Sequence, residues 1–438
     1  MLKKLRIFKL SSKKTKHTVF KNMAVLASGA VVARVIGLAS IPLLTRIYTP
    51  ENFGVLSVFM ATLAMISPFA TLRYSVAIPL LRNHAIAANL LAITIVILCL
   101  VSILSLIIFS FFSIEIFQML SLDNMIEYWW IFPIAIFGSG LYEILKSWFI
   151  RQKNFKILAK TDIYVAFSGS IIKIGMGLIG YKSMGLLIGG AFVGLIGSAA
   201  LLLKSYNSLK VYKKFLRLSR IRLLFLHYSE YPKYRLPSQF LLVLSIQAPF
   251  LMLTSFFGTE VVGQFSLALM VLNTPIALLG SSMGQAYYAE IAKIGKKQPS
   301  AILQITKDVV KKLFLFSLAP FFLLLLMAPL LFSWIFGEVW YMAGEFARAL
   351  SVYLVAAFIS APLVNVFSVF EKQFLLLKLN IIRIIVLTVM FSLSYLLDLN
   401  SMQTILLYSV TMFLYYSYIN YMVFKVIKVQ VSRGYENV

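Results

Sequence analysis

Residues 32–57 read VARVIGLASIPLLTRIYTPENFGVLS: an apolar helix with an arginine inside it, a polar turn, and the start of a second apolar helix. Pro42 interrupts the first helix, the turn is Thr49-Pro50-Glu51-Asn52, and the second helix opens at Phe53-Gly54. An ionised guanidinium near the middle of a bilayer costs roughly 2.5–3.5 kcal/mol on insertion scales. Arg34 is therefore expected to face protein or a wet cavity, and the rest of the chain must say what that cavity carries.

Composition sets the class. The chain has 438 residues, 61% hydrophobic and 13% charged, and its apolar residues come in runs long enough to span hydrocarbon. The net charge of +26 would point to nucleic acid in a soluble protein. Here lysines and arginines cluster in alternate loops, as orientation in a membrane requires, and no nucleic-acid partner is expected. The one cysteine, Cys99, lies in an apolar run, so no intrachain disulfide can form.

Residues 1–22 carry Lys3, Lys4, Arg6, Lys9, Lys13, Lys14, Lys16 and Lys21. The apolar run at 23–45 is longer than the core of a signal peptide and contains Arg34, so it reads as a retained first helix behind a basic cytoplasmic segment. Eleven further spans are expected at about 53–80, 85–113, 126–149, 158–180, 184–204, 236–257, 261–286, 309–335, 345–370, 374–397 and 402–424. Each is near or above the ~20 residues that cross hydrocarbon, and the backbone must satisfy its own hydrogen bonds there as helix. The span at 53–80 is over-long and contains Pro68, Arg73 and Pro79. Twelve spans place most Lys and Arg on one side, and Glu115, Asp123, Glu127, Glu260, Glu338 and Asp398 on the other. Both termini are then cytoplasmic.

The fold class expected is thus an all-α integral membrane protein of about twelve transmembrane helices in two six-helix halves around a central cavity. The halves are 23–204 and 236–424, joined by a basic amphipathic cytoplasmic linker at 205–235, with a cytoplasmic tail at 425–438. An internal repeat supports the split: LTRIYTPENFGVLS (44–57) aligns at an offset of 209 with LTSFFGTEVVGQFS (253–266). Identities fall at Leu44/Leu253, Thr45/Thr254, Glu51/Glu260, Gly54/Gly263 and Ser57/Ser266. With an even number of helices per half, both halves insert in the same orientation about an axis along the membrane normal.

LLTRIYTPENFGVLSVF, followed by ATLRYSVAIPLL (70–81), resembles the start of bacterial polysaccharide-transport proteins, more narrowly the Wzx-type O-antigen and capsule flippases of the multidrug/oligosaccharidyl-lipid/polysaccharide superfamily. The chain length, the twelve spans, the basic middle loop and GQAYYAEIAK after the eighth span extend the resemblance along the chain. It implies translocation of an undecaprenyl-pyrophosphate-linked oligosaccharide from the inner to the outer leaflet of a bacterial plasma membrane, the inner membrane, for lipopolysaccharide or capsule. Membrane lipids, a polysaccharide polymerase and a chain-length regulator are the partners it implies. No cofactor is implied, and the coupling ion, proton or membrane potential stays open.

A diphosphate head needs buried cationic donors, and the planar fork of Arg suits phosphate. Arg34 lies about twelve residues, or about 18 Å, into its helix, beyond easy snorkelling. Lys173 and Arg383 also lie inside spans, whereas Arg73 either lines the cavity or marks the inner end of the second helix. Arg46 matches the arginine before the family's outer turn, with a capping role as the alternative. Arg348 follows Glu345 by three residues and reads as a local ion pair. Tyr415, Tyr416, Tyr418 and Tyr421 read as packing or interfacial aromatics before they read as a sugar platform. Pro42, Pro68, Pro249, Pro275 and Pro362 are candidate kinks, and the small residues of Gly185–Gly189 and Gly190–Gly194 are candidate helix contacts. His17, His84 and His227 lie far apart without metal-ligand spacing.

Two other classes compete. A cation-coupled drug exporter of the same superfamily favours an acidic residue within the membrane, whereas Glu143, Asp162 and Glu371 lie near span ends. A polysaccharide polymerase or ligase would be expected to carry a sizeable outer loop, and no outer loop exceeds roughly fifteen residues on these spans.

Overall fold

A computed structural model describes residues 2–119, 123–212, 216, 218–295 and 298–435, and no strand occurs among them. The side chains of residues 1–24, and those of Lys213, Lys214, Pro275, Lys296 and Lys297, lie outside the described residues. The principal helices are α1 (Leu2–Ile47), α2 (Pro50–Ala70), α3 (His84–Met119), α4 (Ile131–Arg151), α5 (Phe155–Leu178), α6 (Lys182–Tyr212) and α7 (Leu218–His227). They continue with α8 (Leu236–Ile294), α9 (Pro299–Phe336), α10 (Tyr341–Leu363), α11 (Asn365–Val369), α12 (Gln373–Leu396) and α13 (Ser401–Tyr435).

Among the described residues, eight stretches are long and apolar enough to cross a membrane on length and composition alone, making this a multi-pass membrane protein. One of them, Tyr231–Thr274, bends at Gly258 within α8. Counting α8 on each side of that bend, twelve described helical segments have the length to cross, as expected. α4, α5 and α13 reach that length but fall short on apolarity. They carry Glu143 and Lys146, Asp162 and Lys173, and a run of tyrosines, respectively.

The over-long second span resolves into α2, a turn, and a 3₁₀ helix at Tyr74–Leu80. The turn works through Leu72 and Arg73, both left-handed at φ 45° and 61°. In the linker, α6 runs on to Tyr212 and α7 is a short separate helix that lies against α3, where the Tyr74 hydroxyl donates to the Phe225 carbonyl at 2.9 Å. GQAYYAEIAK, expected beyond the eighth span, continues α8 as helix to Ile294. Departures from helical dihedrals inside described helices fall at Phe112 and Gly258 rather than at the prolines.

The chain divides into two compact units: Met1–Ile47 with Thr62–Phe240, and Tyr48–Ala61 with Leu241–Val438. In the first, α1 packs on α5, α5 and α4 on α6, and α3 on α4, around buried Tyr74, Phe117, Phe132 and Trp148. In the second, α10 packs on α9 and α13, and α12 on α13, with Phe265, Trp340, Phe346 and Phe367 fully buried. The division between the units falls after Phe240, and the first part of α2 groups with the second unit.

The duplicated motif explains why. Thr49 begins α2 by accepting the Asn52 backbone N–H at 3.4 Å and its side-chain amide at 2.6 Å, with Pro50 at the first helical position and Glu51 beside it. At the aligned position Gly258 makes the second turn alone, with φ 82° and ψ 178°, a conformation open essentially to glycine. The two motifs then cross. A Cβ on Gly54 would sit 1.7 Å from the Thr259 carbonyl oxygen, and one on Gly263 would sit 1.7 Å from that of Pro50. Small residues permit this backbone approach, which is how helices associate where lipid supplies no hydrophobic drive. Thr45 and Thr254 lie on the same motif and bond back to their own helices at Pro42 and Phe250.

Gly54→Ala and Gly263→Ala should each lower stability by about 1–3 kcal/mol, the range for forced overpacking. Gly37→Ala, whose Cβ would meet nothing within 4 Å, is the matched control and should be neutral or slightly stabilising. Thermal unfolding of the detergent-purified variants measures both.

Candidate functional site

In the first unit, polar side chains gather where α2 ends. Left-handed Arg73 directs Nη1 to Glu143 Oε1 at 3.4 Å and Nη2 to Gln239 Oε1 at 3.2 Å. Glu143 Oε1 also accepts the Ser75 hydroxyl at 2.6 Å. The ion pair is mostly buried, with side-chain exposures of 18% and 28%. Arg73 Nε is buried without a hydrogen bond among the described residues. A second group links α4 and α5: Asp162 Oδ1 accepts Tyr142 Oη–H at 2.6 Å and Lys146 Nζ at 2.9 Å. Of the three carboxylates that the sequence offered near span ends, Glu143 and Asp162 are thereby engaged by cations.

The other cations that the sequence proposed for a cavity in this unit do not join these two groups. α1 and α5 run side by side in constant register, Gly29 against Ala159 and Ser40 hydrogen-bonded to Ser170 at 3.2 Å. That register sets Arg34 level with residue 164, nine residues or about 14 Å short of Lys173. Arg34 and Lys173 are therefore not brought together. Arg34 is exposed and makes no hydrogen bond or ion pair among the described residues, and the same holds for Arg46 in the last turn of α1. The Lys173 stem lies on Gly189 of α6, where a Cβ would meet Lys173 Cγ at 2.3 Å. Gly194 similarly admits the backbone of Gly138 and Ser139, so both small-residue motifs do pack helices.

The second unit handles its cation differently. Arg383 of α12 lies among Tyr353 of α10 and Tyr408, Tyr415 and Tyr416 of α13, and no described carboxylate faces it. Its guanidinium carbon is 5.8 Å from the centre of the Tyr415 ring, cation–π geometry, and its Nε is buried without a hydrogen bond among the described residues. The rings hold one another: Tyr353 stacks on Tyr416 at 6.2 Å and meets Tyr408 edge-on at 5.9 Å, while Tyr415 meets Tyr416 at 5.4 Å. Tyr415 Oη donates to the Leu379 carbonyl at 3.2 Å. Tyr418 and Tyr421 stack on each other, both exposed and away from this group.

The sequence named Arg383, Tyr415 and Tyr416 but missed Tyr353 and Tyr408. The signal for Tyr408 was present, since positions 408, 415 and 416 share one face of a helix at i, i+7, i+8. Tyr353 is brought in by tertiary packing alone. Arg348 pairs with Glu345 at 3.2 Å, as its spacing implied. Among the described residues no three His, Cys, Asp or Glu side chains converge to hold a metal ion.

A family model described as "Polysaccharide biosynthesis protein" matches residues 43–345. No curated protein matches the chain. Among solved structures, an inward-facing multidrug resistance MATE family transporter of the MOP superfamily superposes with TM-score 0.63 at 14% identity, covering 94% of this chain and 95% of that one. A MOP superfamily transporter from Pyrococcus furiosus, described by the reverse polarity of its binding pocket, gives TM-score 0.60 at 14% identity over 94% and 96%. A mutant of the Vibrio cholerae MATE transporter VcmN gives 0.60 at 13% over 95% and 97%. At these identities the likeness is one of fold, and the fold is that of MOP-superfamily transporters.

A double-mutant cycle tests the first-unit network. Glu143→Ala alone, which strands the Arg73 guanidinium, should destabilise more than Arg73→Ala and Glu143→Ala together, with a coupling of about 1 kcal/mol or more. Thermal unfolding of the three variants measures it.

Proposed function

The chain belongs to the polysaccharide biosynthesis protein family, and from that premise we propose that it is a flippase rather than an enzyme. It moves undecaprenyl-pyrophosphate-linked oligosaccharide repeat units, for O-antigen or capsule, from the inner to the outer leaflet of a bacterial plasma membrane by alternating access. The observation that carries this reading is Arg383, a cation at membrane depth ringed by four tyrosines with no carboxylate among the described residues beside it. A guanidinium stays charged at all physiological pH and matches phosphate oxygens with paired N–H donors. Tyrosine rings offer apolar faces to sugar C–H groups, and their hydroxyls both donate and accept. A glycan joined to a diphosphate needs both.

Arg34 supports the same reading. It is exposed inside a span and carries no described partner, so the energetically tolerable surroundings are water or an anion rather than lipid. A drug exporter that binds cations would instead need an unpaired acid at depth, and Glu143 and Asp162 are each held by a cation.

Deletion of the gene in its native host should abolish surface glycan and leave full-length repeat units on the inner leaflet, read by labelling surface polysaccharide and lipid-linked intermediates together. In complementation, Arg383→Ala should cut export by about 10-fold or more, the scale of losing a charge-assisted hydrogen bond. Arg383→Lys should restore only part, because an ammonium lacks the fork. Normal glycan with raised sensitivity to cationic dyes would replace this reading with the drug exporter.

A further inference from the structure

Away from both clusters, a cavity of about 650 Å³ opens at the ends of α3 and α4, lined by Pro79, Leu80, Arg82, His84, Arg151 and Lys153 among others. Three of these side chains are permanent cations and none is an acid. Arg151 is fixed: Nε donates to the Leu81 carbonyl at 2.9 Å, Nη2 reaches the Arg82 carbonyl at 3.4 Å, and the two Nη atoms meet His84 Nδ1 at 3.3 and 3.2 Å. Its guanidinium also lies 5.2 Å from the centre of the buried Trp148 ring. It ties the segment before α3 to the end of α4.

The Arg82 and Lys153 side chains are exposed and make no hydrogen bond or ion pair among the described residues. Lys153 stands at φ 56°, just past the end of α4, at a left-handed position where glycine is the usual residue. The turn closes through Asn154 N–H to the Phe149 carbonyl at 3.0 Å. α3 begins at the cavity, with Asn83 capping the Ala85 N–H at 2.8 Å, so the positive end of a long helix adds to the field. Basic loops serve orientation in any membrane protein, but orientation needs only charge and no cavity. Here three cationic side chains and no acid line one hollow beside Pro79 and Leu80, an arrangement whose like charges an anion would relieve.

We infer that this cavity binds a phosphate-bearing anion, with Arg82 and Lys153 as the direct ligands and Arg151 as the positioning residue that holds the wall. The inference does not rest on the transport reading and stands or falls without any measurement of glycan.

The test uses full-length protein in nanodiscs of phosphatidylcholine, to which inorganic pyrophosphate is added in one arm. In the other arm phosphatidylglycerol replaces part of the lipid. Wild type, Arg82→Ala/Lys153→Ala and Arg82→Lys/Lys153→Arg are compared by thermal unfolding. Ligand should raise the wild-type midpoint to a saturating value, the alanine pair should lose most of that rise, and the charge-conserving pair should keep it. Response to phosphatidylglycerol alone assigns the anion to a lipid headgroup, response to pyrophosphate alone to a soluble phosphate, and response to both to the shared group. No response of the wild type in either arm overturns the inference, as does an equal response of wild type and the alanine pair. Both substituted side chains are exposed, so the unliganded midpoints should agree, and a lowered midpoint with an undiminished rise also counts against it.

Discussion

A charge inside a membrane helix must be paired, wet or met by an aromatic face, because hydrocarbon offers it nothing. Much of this structure follows from how each cation meets that constraint. Arg73 and Lys146 meet it with carboxylates, and the carboxylates take further donors from Ser75 and Tyr142. Arg383 meets it with tyrosine rings. Arg34 meets it with nothing among the described residues, which is why it reads as a surface of a wet path.

The two solutions differ in what they leave over. A carboxylate neutralises the cation, and a ligand anion would have to compete with it. Rings stabilise the guanidinium electrostatically while leaving the net charge in place. The second unit therefore keeps an electropositive point at depth, whereas in the first Arg73 and Lys146 spend their charge on tying the end of α2, α4 and α5 together. Fold relatives that share this architecture at 13–14% identity can carry other chemistry on it, since function lives in such sites rather than in the fold.

The number and order of the long helices were legible from apolar runs and basic loops, because a bilayer imposes one length and one backbone solution. The pairing of Arg348 with Glu345 was legible because it is local. What escaped was tertiary. The α2 exit was blurred by Pro68, Arg73 and Pro79 until the left-handed turn at Leu72 and Arg73 resolved it. Of the proline candidates, Pro362 lies one residue before α10 ends at Leu363, whereas departures from helical dihedrals inside described helices fall at Phe112 and Gly258, since a proline can sit in a membrane helix whose neighbours absorb the lost bond. Tyr353 joined the Arg383 group from a helix thirty residues upstream, which no local periodicity foretells.

The crossing at Gly54 and Gly263 has a further meaning. Under the offset of 209, Thr259 is the counterpart of Pro50, so Gly54 against Thr259 and Gly263 against Pro50 are one contact made twice. Such reciprocity defines an isologous patch, the kind that closes a two-fold dimer and leaves no spare copy to propagate a filament. In a homodimer every substitution there would strike both sides at once. Joined in one chain, the two sides are free to differ. One has used that freedom to turn with Thr49 and Pro50, the other with a single glycine at 258.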